Sequence, residues 1–312
     1  MLRLVGQRLV LSLPLLFIVS ALTFVLLLLV PGDAARQILG PLATPDEIET
    51  LRQQLGIDRP VWSQYGDWVA GAVRGDLGDS LFGGDVVSLL NARLAVTMSL
   101  IFGAVIVTAI VGVILGVVSA ARGGFLGRMI DVVSIAAFGI PGFWLASMLV
   151  VLFAVKYPIF PAAGYVRPSD SVTGWLHSLV LPVMTLALLG MAVVARQTRD
   201  AVSDVLQRDF IRNLRAAGVP ERSVIWKHAL RNAALPIVTV LGLQFVGLLG
   251  GTIIVEAVFG LPGMGSLVIL ATQRHDIPVI QGVAIYFTLI VIAVNLTLDI
   301  AYGLLNPRVR VK

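Results

Sequence analysis

Residues 208–236 read RDFIRNLRAAGVPERSVIWKHALRNAALP, a polar and basic stretch between two strongly apolar segments. Phe210, Leu214 and Ala217 are spaced to share one face of a short helix. Gly218 is placed to end that helix, because glycine adopts the left-handed backbone of a helix end at little steric cost. The second half of the stretch returns to helical spacing, which predicts a helix, a turn and a second helix. We call residues 208–236 the basic segment.

The sequence on both sides of the basic segment has the composition of a membrane protein. Of its 312 residues, 57% are hydrophobic and 13% are charged, and the mean hydropathy is +0.93. Soluble domains carry about 25% charged residues. A chain of this composition is therefore predicted to cross the bilayer several times.

Six windows without Asp, Glu, Lys or Arg are long enough for a helix to cross about 30 Å of hydrocarbon, which takes about 20 residues. They are residues 9–30, 95–121, 132–155, 178–195, 233–255 and 277–298, the last extending to 305 across Asp299. Helices satisfy all their backbone hydrogen bonds within one segment, as a lipid-exposed span must. The sequence predicts an all-α membrane protein of six transmembrane helices in a single domain, residues 1–312.

The basic residues predict the orientation of these helices. Fifteen of the 23 lysines and arginines fall in segments that are internal if the N-terminus is inside, and positive charge is enriched in cytoplasmic loops. Both termini are therefore predicted to be cytoplasmic. Residues 31–94 become a long external loop after helix 1, and residues 196–232 become a cytoplasmic loop between helices 4 and 5.

The external loop carries its own helix signals. Thr44 and Glu47 have the spacing of a capping box, and Gly56 is placed to end the helix that follows. A second helix is predicted from Pro60 to Val73. Its aromatic residues are expected either to anchor the loop at the membrane surface or to contact a partner that delivers a ligand; they are Trp62, Tyr65 and Trp68.

Residues 257–273 are uncharged but are interrupted by Pro262 and by three glycines within six residues. Such a broken backbone cannot satisfy its hydrogen bonds in lipid. Residues 257–276 are therefore predicted to form a short re-entrant or interfacial loop packed on protein. Glu256 lies directly before this loop, at the external end of the fifth span, where it is a candidate gating residue. Asp131 lies near a cytoplasmic helix end and is expected to pair with a nearby arginine such as Arg128 or Arg308.

Several kinds of chemistry are excluded by what the sequence lacks. A phosphate loop needs Gly-Lys, and none of the three lysines, Lys156, Lys227 and Lys312, follows a glycine. There is no cysteine, and the three histidines lack the spacing of a paired metal site. The chain is therefore predicted not to be an enzyme and to bind no metal or cofactor. If ATP drives its activity, another polypeptide hydrolyses the ATP.

The basic segment has two interpretations. It could be a solvated loop that only follows the positive-inside bias. Capped helices and three apolar residues predicted to be buried, Phe210, Leu214 and Trp226, favour a docking site for a soluble partner, with an arginine surface around a small apolar knob. The basic residues elsewhere lie at helix ends and form no stripe with aromatics, so no nucleic acid is expected.

Residues 209–218, DFIRNLRAAG, and 228–236, HALRNAALP, have the pattern of a cytoplasmic EAA-type loop. In this and other motifs the chain resembles the transmembrane permease subunits of ABC importers of the dipeptide, oligopeptide and nickel class. The other motifs are Pro31-Gly32-Asp33, Gly75-Asp76-Leu77-Gly78-Asp79-Ser80, Pro141-Gly142-Phe143-Trp144, Val255-Glu256 with Pro262-Gly263-Met264-Gly265, and Asn306-Pro307-Arg308.

The resemblance implies a permease of the bacterial cytoplasmic membrane that imports peptides by alternating access. Its expected partners are a second homologous permease, two ABC ATPase subunits or domains that bind ATP and magnesium, and an external substrate-binding protein. The residues expected to couple to the ATPase are Phe210, Arg212, Leu214, Arg215, Ala216, Gly218, His228, Asn232 and Pro236. The external gate or pathway candidates are Glu256, Pro262, Gly263 and Gly265.

Three alternatives remain open from the sequence, of which the first is a membrane scaffold or receptor subunit without transport. A proton-coupled secondary transporter would act alone, although such carriers usually need acidic groups nearer the middle of the bilayer. Within the same family, the solute could be a dipeptide, a longer peptide, a glutathione-like tripeptide or a nickel chelate.

Overall fold

The computed structural model describes residues 2–29 and 32–305. Within these residues the chain is helical, with one isolated bridge between Asp79 and Asp85 and no longer strand. The α-helices are α1 (Leu2–Leu28), α2 (Ala34–Leu39), α3 (Pro45–Leu55), α4 (Val61–Ala72), α5 (Val86–Arg122), α6 (Gly124–Gly139), α7 (Gly142–Val150), α8 (Val172–Leu206), α9 (Asp209–Ala216), α10 (Glu221–Ser223), α11 (Leu230–Phe259), α12 (Met264–Arg274) and α13 (Ile277–Leu305). Val151–Lys156 and Val224–Ala229 are π-helical. The predicted all-α class is confirmed.

Five helical stretches of the described residues are long and apolar enough to cross a membrane. They are Gly6–Leu27, Val86–Arg122, Val172–Leu206, Glu221–Phe259 and Ile277–Leu304. They coincide with five of the six predicted windows, but α5 and α8 extend well past the apolar windows into charged sequence. Residues 30, 31 and 306–312, including Pro31, Arg308 and the Asn306-Pro307-Arg308 motif, lie outside the described residues.

The third predicted window, residues 132–155, is not one continuous helix. It is divided between α6 and α7, and the chain between them passes through Pro141, whose backbone is extended (φ −64°, ψ 132°). Proline has no amide hydrogen and disfavours helical geometry in the residue before it, so α6 ends there. α6 has 16 residues and is about 24 Å long at 1.5 Å per residue, shorter than the hydrocarbon layer.

The two helices predicted between α1 and α5 are present. Thr44 and Glu47 form both halves of the capping box, with the Glu47 carboxylate accepting from the Thr44 amide at 2.8 Å. Gly56 closes α3 in the left-handed conformation, at φ 67°. The second predicted helix is α4, one residue shorter at each end than expected.

The chain forms two compact units, which are described separately. The first, called the outer unit here, comprises residues 2–97 and 262–293. Its apolar core joins α5, α12 and α13 through the buried side chains of Val86, Leu90 and Met264. Gly282 permits this packing, because a Cβ there would lie 2.7 Å from Val86 and 2.9 Å from Leu90.

Two of the aromatic residues of α4 are used for packing within the outer unit. Tyr65 contacts Phe17 of α1, with ring centroids 6.1 Å apart, and its hydroxyl is 2.8 Å from that of Ser20. Trp68 stacks beside Tyr65 at 6.2 Å. Only Trp62, which is 79% exposed, remains available for either of the two roles predicted for these aromatics.

The second unit, called the inner unit here, comprises residues 98–261 and those from 294 onward. Its α8 packs against α6, α7 and α11. Gly112 and Gly116 lie four residues apart on α5, a spacing that favours close helix packing. They permit such a contact: a Cβ on Gly116 would lie 2.5 Å from the carbonyl oxygen of Ala195. Gly247 and Gly251 have the same spacing on α11 but make no such contact, because Gly247 has nothing within 4 Å of its Cβ position and Gly251 meets only Leu186, at 3.6 Å.

Candidate functional site

α9, the first helix of the basic segment, is held to the inner unit by one fully buried side chain. Ile211 is completely inaccessible to solvent and lies in an apolar cluster with Val117 of α5, Val202 and Val205 of α8, and residues of α11. Phe210 and Leu214 are half-buried at the edge of this cluster. Ile211 was not among the residues predicted to be buried in α9, although burying an isoleucine side chain is favourable.

Gly218 closes α9 as predicted. Its φ is 77°, its amide donates to the Arg215 carbonyl at 3.0 Å, and the Val219 amide donates to the Leu214 carbonyl at 3.1 Å. These two bonds are those of a Schellman motif, and Val219 and Leu214 also pack on the same cluster. The turn after α9 therefore has a fixed geometry.

An ion pair crosses the turn. The guanidinium of Arg215 donates two hydrogen bonds to the carboxylate of Glu221, at 3.0 and 2.6 Å. This pair raises the pKa of Arg215. The fork geometry fixes both side chains, so Arg215 stabilises the turn as well as contributing to the basic surface.

The outward face of α9 is polar and open. Arg212 is 77% exposed and lies 3.7 Å from Asp209, which is 94% exposed. Such an exposed pair contributes little stability. Ala216 and Ala217 are also exposed. Ala217 was predicted to share a face with Phe210 and Leu214, but it is not buried with them. The outward face of α9 is therefore accessible to solvent along its length.

The chain after α10 differs most from the prediction. Residues 224–229 form a π-helix, in which Val224 and Ala229 are fully buried. The prediction that Trp226 is buried is wrong, because its side chain is 41% exposed. The wider π-turn brings residues five apart together, so Val224 pairs with Ala229 on the inward side and Trp226 is left outside. A π-turn has no distinct sequence signal that periodicity could have detected.

The remaining residues expected in the coupling site lie along the same stretch. His228 is half-buried, and its carbonyl accepts a 2.8 Å hydrogen bond from the side chain of Asn232. Asn232 and Pro236 are exposed on the first turns of α11. The structure thus places the nine predicted coupling residues between α9 and the first turns of α11. Phe210 and Leu214 pack at the edge of the apolar cluster, and Gly218 ends α9.

Asp131 does pair with arginine, but not with Arg128. Its carboxylate lies 2.9 Å from Arg199 and 3.9 Å from Arg196, both on α8. Arg199 also donates to the Gly127 carbonyl at 2.8 Å. These contacts hold α6 to α8, so Asp131 has a structural role.

The candidate gate residues belong to both units. In the inner unit, Glu256 is fully buried on the last turn of α11, which closes at Gly260 in the left-handed conformation. In the outer unit, Gly263 and Gly265 are buried at the start of α12, and Pro262 is exposed. The first amide of α12, that of Met264, donates to the Thr97 hydroxyl at 2.9 Å. Five of the seven residues from 261 to 267 are buried.

The inner unit also contains a cavity that was not predicted. It has a volume of about 400 Å³ and lies between α5, α8, α11 and the start of α7. Most of its lining is apolar, and the exceptions include Gln244, a half-buried carboxamide on α11. A lone polar residue in an apolar span could have indicated the site.

Comparison with known families identifies the chain. Residues 1–101 match the N-terminal region of a binding-protein-dependent transport system membrane component. Residues 112–311 match the family described as "Binding-protein-dependent transport system inner membrane component". The chain belongs to this family. This inner membrane component is therefore a multi-pass membrane protein and a transport permease subunit, and the predicted resemblance to ABC importer permeases is confirmed.

Relatives of the inner membrane component match it over nearly its whole length. A putative peptide transport system permease protein of Brucella abortus (strain 2308) is 40% identical over 309 residues, covering 98% of each chain. The glutathione transport system permease protein GsiC of Escherichia coli (strain K12) is 39% identical over 314 residues, covering 100% of each.

One solved structure is similar in fold. It is a chain of the MetNI methionine ABC transporter in an inward-facing conformation, with a TM-score of 0.58 and 17% sequence identity. The match covers 70% of this inner membrane component and 97% of the MetNI chain. At this identity the likeness establishes the fold.

Proposed function

We propose that the chain is the permease subunit of an ATP-driven ABC importer that moves peptides across the cytoplasmic membrane. The observation that carries this proposal is the basic segment: a capped helix, held by Ile211 and presenting Arg212 outward, in a member of a binding-protein-dependent transport family. A loop that only obeyed the positive-inside bias would need neither a buried anchor nor a Schellman motif.

The proposed topology has six crossings with both termini cytoplasmic. Five crossings correspond to the long helical stretches. The sixth is residues 132–155, crossing as α6 and α7 with a break at Pro141. Broken helices are tolerated in membranes where protein covers the exposed backbone, and both α6 and α7 pack against α8.

In the proposed mechanism, α9 seats in a groove on a cytoplasmic ATPase. Closure of two ATPase subunits or domains around ATP and magnesium would move α9, and the buried cluster would transmit this movement to α5, α8 and α11. A ligand shifts an equilibrium only through its different affinity for two states. The two ATPase conformations must therefore contact α9 differently, so that ATP binding changes the population of inward and outward states.

The chain itself is proposed to be non-catalytic and to bind no cofactor. It has no lysine that follows a glycine, which a phosphate loop needs. A second homologous permease would complete the pathway, and an external substrate-binding protein would deliver the solute. The candidate residues of the external gate are Glu256, Pro262, Gly263 and Gly265.

The names of the relatives support a peptide as the solute, and they leave the choice among a dipeptide, an oligopeptide and a glutathione-like tripeptide to the binding protein. A nickel chelate is an alternative within the same family. A proton-coupled carrier is the alternative from another class, and it would need no partner.

Reconstitution distinguishes these functions. The chain is purified from membranes with its partners and placed in vesicles with the binding protein and a labelled peptide. We expect uptake that requires ATP and is unaffected when a protonophore dissipates the pH gradient. Uptake by the chain alone, driven by a proton gradient, would refute the proposal.

A further inference from the structure

The cavity of the inner unit is almost entirely apolar and has glycines on two of its walls. Gly190 on α8 and both Gly247 and Gly251 on α11 lie in the lining. Side chains at these positions would fill part of the space, since the Cβ position of Gly247 has nothing within 4 Å. The volume of about 400 Å³ is within the range of small-molecule pockets, about 300–1,000 Å³.

Three polar side chains line the cavity, and two of them are already satisfied. The Thr185 hydroxyl donates to the Leu181 carbonyl at 2.8 Å, and the Thr108 hydroxyl donates to the Ala187 carbonyl at 3.3 Å. The Gln244 carboxamide has no hydrogen-bond partner among the described residues. Among the three polar side chains of the lining, only the Gln244 carboxamide is therefore free to bind a ligand through hydrogen bonds.

Gln244 is positioned by the absence of a side chain opposite it. A Cβ at Gly190 would lie 2.9 Å from Nε2 of Gln244 and 3.3 Å from the Thr108 hydroxyl. Any larger residue at position 190 would displace the carboxamide. The site therefore combines an unpaired amide donor and acceptor with space in front of it.

An unpaired carboxamide in a membrane span is costly, and such residues face a cavity or a polar partner. The lining contains no charged residue, so the site favours a neutral polar group. The backbone of an extended peptide is a close chemical complement, because the carbonyl of one residue can accept from the side-chain nitrogen of Gln244 while the N–H of that same residue donates to the side-chain oxygen. The apolar walls suit the hydrocarbon part of an amino-acid side chain.

We propose that this cavity is a binding site on the translocation pathway, at which Gln244 pairs with a backbone amide of the transported peptide. The proposal rests on the peptide-importer function proposed above. The site would hold the peptide after the binding protein releases it, and it would read the peptide bond without reading the sequence. An acyl chain or a helix of the second permease are the competing occupants.

Single-cysteine labelling tests the occupant, because the chain has no native cysteine. Gln244→Cys and the control Leu243→Cys are compared in the full complex with cysteine-free partners; Leu243 is the neighbouring residue, 67% exposed and outside the cavity lining. We expect a charged, water-soluble thiol reagent to modify Gln244→Cys and a transported dipeptide to slow that modification, whereas the dipeptide does not slow any reaction at Leu243→Cys. Reaction at 244 only with a lipid-soluble reagent, a cross-link from 244 to the second permease, or a lack of peptide protection would each overturn the proposal.

Uptake kinetics give a second test. Losing the paired hydrogen bonds in Gln244→Leu should lower the peptide uptake rate about tenfold, while stimulation of the ATPase by the loaded binding protein stays at the wild-type level. Leu243→Ala should transport normally. Wild-type uptake by Gln244→Leu would overturn the binding site alone. If the wild-type complex showed no ATP-driven peptide uptake, the proposed function itself would fail.

Discussion

The substitution Ile211→Ala tests how the basic segment is held. Ile211 is the one buried residue of α9, and α9 has eight residues, too few for a helix to be stable alone. Truncating a buried isoleucine to alanine costs about 2–5 kcal/mol. A loss of about 3 kcal/mol would lower the ratio of docked to undocked α9 about 100-fold, since each 1.4 kcal/mol is a factor of ten. We therefore expect Ile211→Ala to abolish ATP-driven uptake while the protein still inserts into the membrane.

Two measurements on the reconstituted complex check this expectation. Peptide uptake and ATPase stimulation are compared for wild type, Ile211→Ala and the matched control Ile211→Val, which removes one methyl group and should cost about 0.5–1.5 kcal/mol. Hydrogen exchange of the amides at 209–219 should accelerate strongly in the alanine variant and only slightly in the valine variant. Unchanged exchange together with normal uptake in Ile211→Ala would refute the idea that one buried side chain anchors α9.

Three further predictions concern other parts of the chain. Gly218→Pro should uncouple ATPase stimulation from transport, because proline is fixed near φ −65° and can neither adopt the φ of 77° nor donate the amide hydrogen bond. Gly218→Ala should have a milder effect, because alanine can adopt the left-handed backbone at a cost of about 1–2 kcal/mol. Equal effects of the two substitutions would contradict the role of Gly218 as a helix cap. Burial alone would raise the pKa of Asp33, but its hydrogen bonds from Arg52 and from two α2 amides hold that pKa below the ordinary value of 3.8. The resulting stabilisation is present above about pH 4 and is lost as the pH falls through the lowered pKa, so an acid titration of thermal stability in detergent should show a loss that Asp33→Asn lacks. Gly116→Ala should lower thermal stability in detergent by about 1–3 kcal/mol through overpacking, whereas Gly247→Ala, with nothing within 4 Å, should not.

Helix ends were predicted correctly where the signal lies in neighbouring residues of the sequence. The capping box at Thr44, the glycine end of α3 at Gly56 and the cap at Gly218 all have a backbone reason that depends only on neighbouring residues. The structure confirms each of them. Five apolar windows are likewise long helices, because apolar length alone determines whether a helix can span lipid.

Features that depend on distant partners could not be derived in the same way. Asp131 was expected to pair with a nearby arginine such as Arg128 or Arg308, but its partner is Arg199 of α8; Arg308 lies outside the described residues. Gly247 and Gly251 have the spacing of a helix-packing motif, yet they line a cavity because no neighbouring helix of the described residues reaches Gly247. Spacing indicates which residues share a face, and only the tertiary structure decides what covers it.

The basic segment contains features of both kinds, some predictable from neighbouring residues and some not. The helix, turn and helix were predictable, and so was the exposed basic face. The residues on its inward side were not predictable, because the π-helical geometry buries Val224 and Ala229 and leaves Trp226 exposed. The break in the third predicted window, residues 132–155, was also not predicted. Pro141 is visible in the sequence, but the window was assigned as one span because its uncharged run is long enough to cross the membrane.

Ile211 points into the protein, whereas Arg212 and its exposed neighbours point away from it, so substitutions on the two sides of α9 have different consequences. Exchanging an outward side chain leaves the buried cluster unchanged. Under the coupling proposed above, contacts with an ATPase can therefore be redesigned from the outward side alone, provided that the isoleucine on the hidden side is kept.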